Sequence, residues 1–487
     1  MENGKFDVIV CGGGTSGTAA AVAAARTGAR TLLIERLGAL GGQMNVSGPP
    51  GFSYAHLFSP RGEQVIAGFA EEMHSRLLKE NHALPHRDED NVYRRRTGYT
   101  FSFVDPEWWG LEIFRVLVES NVTLLLHTLV VGVTKDGDRV TGVIVENAAG
   151  RSTIEAKIVI DCTGEGDIAV RAGCDYELLP RDMNEPHSLC FTMDGVDWDE
   201  FMTYMKENPQ EFQLRGAAGL SQEEKIANLR QVTDPADLGE IMGFFSIIKE
   251  LLAKGEWHDY AGMGFFMAPR PDGGDRGVVQ AHFQHSAQVP DLWSCDPWDL
   301  TKGEIEARRQ IMIAAKAFKK YVPGFKKAYI VKMGTELRLR DGRRIMGDHR
   351  LTGAEVAAGA RFYDCIGKSA FPAGAVHAAN NSTLATVVRN GEVGGLPPEG
   401  GSHDIPYRCL VPRKVENFLV GGKHISTDRA AYQRFLQETV VTGQAAGAAA
   451  GLCVKKGVTP RALEAEEHVK DLQAFLRAQG VILDGVH

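Results

Sequence analysis

A cluster of glycines near the N-terminus has the spacing of a phosphate-binding turn. Gly12, Gly14 and Gly17 fit the pattern G-x-G-x-x-G. The first glycine of this pattern permits a tight turn, the second lets the backbone approach a pyrophosphate, and the third allows close packing of helix on strand. Glu35 follows 21 residues after Gly14, where its carboxylate can accept hydrogen bonds from a ribose diol and would disfavour a 2′-phosphate. These residues predict a dinucleotide site.

The sequence that flanks the glycines predicts the secondary-structure elements that position these residues. Residues 6–11 form a short apolar run, of the kind that is buried in a parallel sheet. An Ala-rich helical segment follows to about Thr27, and residues 31–34 again read as a strand that ends at Glu35. Strand, helix, strand and acid in this order make a complete β-α-β unit, which favours a bound dinucleotide over an unliganded glycine turn.

A second glycine pair indicates which dinucleotide is bound. Gly41 and Gly42, followed by Gln43, stand where NAD enzymes normally continue with an ordinary helix, whereas FAD proteins place such a pair beside an extended cofactor. Two strand-and-turn blocks, at 158–167 and 417–423, also favour FAD. A helix containing the small residues 442–450 could lie against the flavin ring, with its N-terminal dipole directed at the O2/N1 edge. The predicted FAD ligands are Gly12, Gly14, Thr15, Ser16, Gly17, Glu35, Arg36, Gly41, Gly42, Gln43, Val130, Val131, Thr163, Gly164, Asp167, Gly422, Gly443, Gln444 and Ala445.

The rest of the chain predicts an α/β fold with an insertion. Residues 122–145 read as a meander of short strands, which would cover the adenosine and bring Val130 or Val131 to the adenine. From 171 to 330 the chain is more polar and irregular. We therefore expect a Rossmann-like FAD-binding domain at 1–170, an inserted α+β substrate or cap domain at 171–330, and the FAD-binding domain resumed at 331–487.

The composition excludes several classes of protein. The 487 residues are 44% hydrophobic and 24% charged, which is typical of a folded protein and not of a disordered chain, collagen or a coiled coil. A net charge of −8 without blocks of like charge argues against nucleic acid or a membrane surface as partner. The eight scattered cysteines form no C-x-x-C pair and predict no metal site. Without a signal peptide, the expected compartment is the cytoplasm; a homo-oligomer is left open.

Further motifs follow one another along the chain. They are DCTGEGD at 161–167, WDLTKGEIEARRQ at 298–310, VPGF at 322–325, RDGRRIMGDHRLT at 340–352, DIPYRCLVP at 404–412, VENFLVGGKHIS at 415–426 and GQAAGAAA at 443–450. Together with the glycines, these motifs resemble the bacterial FAD-dependent oxidoreductase family, distant relatives of fumarate reductase and ketosteroid dehydrogenase flavoproteins. The resemblance implies the two-dinucleotide-binding-domain class. Where relatives tend to carry Arg-Cys, this chain has Lys423-His424.

The resemblance also implies where the substrate meets the flavin. His377 matches the histidine that ends a short family segment, although the acid that usually precedes it is absent. An imidazole titrates near neutral pH, so His377 is the candidate proton carrier. Arg343 and Arg434 are candidate anchors for an anion, and Tyr432 is a candidate hydrogen-bond donor to a substrate oxygen. The alternatives are a structural histidine, ion pairs between domains and a packed aromatic ring.

The expected function is that of an FAD-dependent oxidoreductase acting on a small organic molecule. A hydride would pass between substrate carbon and flavin N5, and dehydrogenation of a CH–OH group is the leading reaction. One alternative is reduction or desaturation of an activated C–C bond, as in the fumarate reductase and ketosteroid dehydrogenase relatives. Another is a flavin-binding electron-transfer subunit without a substrate of its own.

Overall fold

The computed structural model describes residues 5–47, 54–55, 57–59, 61–86, 101–212, 221–238, 240–258, 262–270, 278–374 and 401–485. The strands in these ranges are β1 Phe6–Cys11, β2 Thr31–Ile34, β3 Tyr54–Ala55, β4 Phe101–Ser102, β5 Thr123–Leu125, β6 Leu129–Asp136, β7 Arg139–Asn147, β8 Gly150–Asp161, β9 Tyr176–Glu177, β10 His187–Ser188, β11 Phe191–Asp194, β12 Glu240–Gly243, β13 Met263–Arg270, β14 Val278–Phe283, β15 Gln288–Val289, β16 Tyr329–Met333, β17 Arg344–Ile345, β18 Cys365–Ser369, β19 His403–Pro406 and β20 Phe418–Val420.

The helices of the same ranges are numbered in chain order. They are α1 Thr15–Arg26, α2 Phe69–Lys79, α3 Pro106–Glu119, α4 Asp167–Ala172, α5 Trp198–Glu207, α6 Gln222–Gln231, α7 Phe245–Ala253, α8 Pro297–Tyr321, α9 Gly353–Ala357, α10 Leu436–Lys456 and α11 Glu466–Ala478. Among the helices described, none combines the length and the apolar character that crossing a membrane would require.

The main sheet is built around the first strand, in the order β5-β2-β1-β8-β7-β6, with β20 also paired to β8. Strands β5, β2, β1, β8 and β20 are parallel, whereas β6 and β7 continue the sheet in antiparallel pairing. Cys11 lies opposite Ile34 on one side and Asp161 on the other, so the ends of β1, β2 and β8 share one edge. The predicted α/β, Rossmann-like fold is confirmed, and its parallel strands open at the edge where ligands of such sheets bind.

Helices α1 and α10 pack unusually closely behind this edge. A Cβ added to Gly443 would lie 2.1 Å from the carbonyl oxygen of Ser16, and one added to Gly447 would lie 1.9 Å from that of Ala20. The small residues of α10 therefore accommodate the backbone of α1. Helix α10 begins at Leu436, two turns before Gly443. The sequence predicted the flavin ring as the close neighbour of residues 443–450, whereas the neighbour that the structure describes is α1. The N-terminal end of this helix dipole lies at Leu436.

A second, antiparallel sheet has the order β12-β13-β14-β11-β16. One of its faces packs with α8 in a core rich in phenylalanine, where the rings of Phe191 and Phe283 stack with their centroids 4.4 Å apart. This core is separate from that of the main sheet. Alternation along β11 and β14 turns polar side chains, among them Thr192 and His282, to the opposite face, where they are also buried. A buried polar face of this kind can line a site.

Candidate functional site

A cavity of about 400 Å³ lies at the carboxyl edge of the main sheet. The turn after each of β1, β2, β8 and β20 contributes to its wall. The lining residues are Gly12, Gly14, Thr15, Ser16, Glu35, Arg36, Leu37, Ala39, Gly42, Gln43, Val46, Ser47, Cys162, Thr163, Gly164, Glu165, Asp167, Ser294, Leu300, Glu336, Leu337, Leu339, Gly421, Gly422, Lys423, Arg434, Leu436 and Thr439. The cavity thus joins the turns of the main sheet to the segment that follows β16.

Two glycines of the turn have different roles, one in helix packing and the other in ligand contact. A Cβ on Gly17 would lie 1.7 Å from the carbonyl oxygen of Gly12, so Gly17 is required for the helix to pack on the turn. A Cβ on Gly14 would meet nothing nearer than the Cα of Gly42, at 3.9 Å. Gly14 also begins α1 without a side-chain cap, and the first turn of the helix contains no acidic residue. The backbone N–H groups there suit a phosphate.

Glu35 connects two turns at the rim of the cavity. One carboxylate oxygen, Oε2, accepts a hydrogen bond from the backbone N–H of Gly13 at 2.7 Å, and Oε1 accepts one from that of Leu37 at 2.9 Å. These bonds hold the carboxylate in place, and each oxygen has a further lone pair for a ribose hydroxyl. Nearby, Arg36 forms an ion pair with Glu336, which belongs to the segment after β16. This pair links the two walls of the cavity.

A buried ion pair stands deeper in the same cavity. The ammonium of Lys423 and the hydroxyl of Ser294 both contact the carboxylate of Glu165. The side chains of Lys423 and Glu165 are 6% and 8% exposed. Burial disfavours the ammonium, but the carboxylate of Glu165 outweighs this effect and raises the pKa of Lys423. Lys423 therefore carries a fixed positive charge into the cavity wall.

Tyr432 lies in a buried polar layer beside this pair. Its ring centroid is 4.5 Å from the guanidinium carbon of Arg344, and Arg344 donates to Asp341 at 2.8 Å. Burial raises the pKa of Tyr432, so the phenol stays protonated. Its hydroxyl is buried and has no hydrogen-bond partner in the part of the chain that the structure describes. An O–H left in this way is a donor available to a ligand.

Two other predicted anion anchors have different surroundings. Arg343 donates from Nη1 to Asp167 at 2.8 Å and to the carbonyl oxygen of Glu165 at 3.1 Å. Arg434 lines the cavity and donates from Nη2 to Glu185 at 2.8 Å, and its Nε is 2.7 Å from the other oxygen of this carboxylate. Arg343 thus holds the turn after β8, whereas Arg434 brings a paired charge to the cavity.

The cavity brings many of the predicted site residues together. Those that line it are Gly12, Gly14, Thr15, Ser16, Glu35, Arg36, Gly42, Gln43, Thr163, Gly164, Asp167, Gly422 and Arg434. The other described ones, which are not part of the lining, are Gly17, Gly41, Val130, Val131, Arg343, Tyr432, Gly443, Gln444 and Ala445. Gln444 instead accepts the backbone N–H of Phe69 at 3.0 Å, at the start of α2. His377 lies outside the described residues.

Sequence reasoning missed several polar residues at or near this cavity. Glu165 and Arg340 stood within noted motifs but were not assigned a role, and Ser294, His187 and Arg338 were not considered. The one local signal for the arginines is the alternation Leu-Arg-Leu-Arg at 337–340, in which the leucines line the cavity. Within the described ranges, no group of three His, Cys, Asp or Glu residues could hold a metal ion.

The lining fits FAD, because it offers a phosphate-binding turn at one end, an acid for the ribose beside it and a cavity that extends to the segment after β16. A family model described as "FAD dependent oxidoreductase" matches residues 7–476. The chain belongs to this family. It is an oxidoreductase with FAD as its cofactor.

Individual relatives match less of the chain. The probable electron transfer flavoprotein-quinone oxidoreductase YdiS of Escherichia coli (strain K12) is 32% identical over 186 residues, which cover 35% of this chain and 39% of that protein. Protein FixC of Bradyrhizobium diazoefficiens is 30% identical over 186 residues, 36% of this chain and 40% of that protein. The chain thus spans about two fifths of the length of these curated relatives.

A solved structure aligns over most of the chain. It is a geranylgeranyl bacteriochlorophyll reductase-like protein from Thermoplasma acidophilum, 12% identical in sequence, with a TM-score of 0.46. The alignment covers 98% of this chain and 84% of that one.

Proposed function

We propose that this oxidoreductase dehydrogenates a CH–OH group of a small organic substrate. The observation that carries the proposal is the buried, protonated hydroxyl of Tyr432, which has no partner among the described residues and lies in the electrostatic field of Lys423. Such a hydroxyl can hold the oxygen of an alcohol and of the carbonyl that it becomes. When bound, FAD accepts the hydride that leaves the substrate carbon.

The chain's own residues would orient the substrate and stabilise charge on its oxygen. Tyr432 would donate a hydrogen bond to this oxygen, while Lys423 and Arg434 provide a positive potential as the hydroxyl proton leaves. That proton needs a base, and His377 remains our candidate on sequence grounds. The leucines at 337 and 339 line the cavity and offer an apolar surface to the carbon skeleton.

A second reaction is favoured by one specific observation. Arg434 places a guanidinium at the cavity wall, and a cation there can polarise a carbonyl or carboxylate conjugated to a C=C bond. Reduction or desaturation of an activated C–C bond is therefore the alternative chemistry. The name of the relative YdiS also keeps electron transfer between proteins as an outcome to be tested.

The experiment mixes the holoenzyme anaerobically with primary and secondary alcohols, 2-hydroxy acids and saturated acids, and follows loss of the flavin absorbance. We expect an alcohol or hydroxy acid to bleach the flavin, with slower bleaching when its C–H is deuterated. Tyr432→Phe should slow reduction about 10-fold or more, because a hydrogen bond to a charged oxygen is worth roughly 1.5–3 kcal/mol. Tyr363→Phe, at a half-exposed phenol, is the matched control.

His377→Ala should keep FAD and slow flavin reduction by ~10²- to 10⁴-fold, the usual contribution of general acid–base catalysis. If no alcohol bleaches the flavin but an activated alkene re-oxidises the chemically reduced protein, the alternative reaction is the correct one. If only a reduced electron-transfer protein bleaches it, the dehydrogenase proposal is wrong.

A further inference from the structure

Three arginines with buried side chains, Arg338, Arg340 and Arg434, lie close to one another. Arg338 and Arg340 follow β16 and are 7% and 3% exposed. Arg338 donates from Nη1 to the amide oxygen of Gln284 at 2.9 Å and lies beside the Cys190 thiol. Arg340 donates from Nη1 to the carbonyl oxygen of Pro186 at 2.7 Å. The third arginine, Arg434, lines the cavity itself, and Arg338 and Arg340 lie near it without being part of the lining.

The charges of this group do not balance within the described residues. Glu185 is the carboxylate that faces Arg340, but it is already held by two atoms of Arg434. Burial and the nearby guanidinium groups of Arg338 and Arg434 lower the pKa of Arg340 to about 9, so this side chain is still a cation at neutral pH. Burying a charge without a counter-charge is unfavourable. An anion that binds here would remove this penalty.

Hydrogen-bond donors without partners point to the same place. Arg340 Nη2 is buried and has no hydrogen-bond partner in the described chain. Burial, followed by the charges of Lys423 and Arg340, lowers the pKa of His187 to about 3. Its Nδ1 accepts the backbone N–H of Arg340 at 3.2 Å, so the neutral ring carries its proton on Nε2. That buried Nε2–H also has no partner in the described chain.

We propose that Arg338 and Arg340 bind a carboxylate group of the substrate, which is therefore an organic acid. The guanidinium fork matches the two oxygens of a carboxylate, and His187 Nε2–H is a further donor beside it. This inference rests on the proposed function, because it names the class of substrate for that reaction.

The test measures binding of malonate, its neutral diamide malonamide and inorganic phosphate to the wild-type holoenzyme by titration calorimetry. Malonate cannot be dehydrogenated as an alcohol, so its binding is read independently of any reaction. We expect malonate to bind at least 10-fold more tightly than malonamide or phosphate. Equal binding of malonamide, or phosphate binding as tight as that of malonate, would overturn the carboxylate assignment.

Variants then locate the site. Arg340→Met should weaken malonate binding about 10- to 150-fold, the equivalent of one charge-assisted hydrogen bond. The same variant should leave the Tm unchanged or raise it, since it removes a buried cation whose facing carboxylate, Glu185, is already paired with Arg434; a purely structural arginine would lower the Tm. Arg340→Lys, which keeps the charge, is the second variant, and the exposed Arg477→Met is the control. Unchanged malonate affinity in Arg340→Met contradicts the proposal.

The two proposals fail in different ways. If malonate binds through the arginines but no alcohol reduces the flavin, the dehydrogenase reaction is wrong and the carboxylate site stands. If neutral alcohols reduce the flavin and malonate does not bind, the reverse holds.

Discussion

The two ends of the cavity are built on different principles. At the cofactor end, backbone groups of the turn at 12–17 and the acid Glu35 come from one β-α-β unit, and the carboxylate is held by backbone N–H groups. At the proposed substrate end, the polar side chains of His187, Arg340 and Arg434 come from segments far apart in the chain. Two of them, His187 and Arg340, keep donors without partners in the described residues. The first end is a preformed backbone cradle, whereas the second, in our proposal, is an electrostatic site that a ligand completes.

The sharpest test of this difference uses two glycines of one turn. Gly17→Ala places a Cβ 1.7 Å from a backbone oxygen, so we expect loss of the folded protein. Gly14→Ala has room in the protein, and we expect the apoprotein to keep its Tm while its FAD affinity falls at least ~10-fold, because the Cβ takes space that the pyrophosphate needs. Thermal unfolding and FAD titration distinguish the two. Equal effects of both variants on stability would show that Gly14 also serves packing.

At the substrate end, the ion pair of Arg434 should dominate stability. Arg434→Met leaves the buried carboxylate of Glu185 without this partner, which should destabilise the protein by about 3–5 kcal/mol. The double variant Arg434→Met/Glu185→Met should recover most of this loss without restoring substrate reduction of the flavin. Urea unfolding measures the first effect and anaerobic reduction the second. Full recovery of both would remove Arg434 from the substrate site.

A smaller effect is expected from Glu438, in the first turn of α10. Burial raises its pKa to about 7, against hydrogen bonds from Ser369 (2.8 Å) and Gln437 (3.2 Å) and the charge of Arg434. The native state then keeps a proton that the unfolded chain releases near its ordinary pKa of 4.5. Stability should therefore fall as the pH rises from about 4.5 to 7, by up to about 3 kcal/mol.

Glu438→Gln should remove this part of the pH dependence. The stability of the variant relative to the wild type should therefore increase between pH 5 and 7.5. The exposed Glu467→Gln is the control. Parallel unfolding profiles of Glu438→Gln and wild type over this range would show that Glu438 does not titrate there.

The smallest expected effect returns to the cofactor end. Glu35→Ala removes an acceptor for the ribose hydroxyls and for two backbone N–H groups, so FAD affinity should fall by about 10- to 150-fold, or roughly 1.5–3 kcal/mol. Glu35→Gln, which keeps one acceptor oxygen, should lose less. Titration of the apoprotein with FAD measures both, and unchanged affinity in Glu35→Ala would refute the role.

The contrast explains what the sequence could predict. The glycine turn and Glu35 lie within one unit whose strand, helix and strand follow each other, so local pattern was enough to predict the main sheet and FAD. His187, Arg338 and Arg434 come together only in the tertiary structure, and no local sequence spacing indicates this. Gly443 is an intermediate case: its small size correctly indicated a close neighbour, but the structure identifies that neighbour as α1. The role of His377 stays a prediction.

The contact between α1 and α10 also sets an order of events during synthesis. The glycine turn leaves the ribosome early, but Gly443 and Gly447, which pack on Ser16 and Ala20, follow more than 400 residues later. At 5–20 residues per second, the turn waits roughly 20 to 90 seconds for its packing partner. A nascent chain stopped before α10 lacks both this packing and the cavity wall that Leu436 and Thr439 provide. We therefore expect the complete cofactor cavity to form only after α10 has been synthesised.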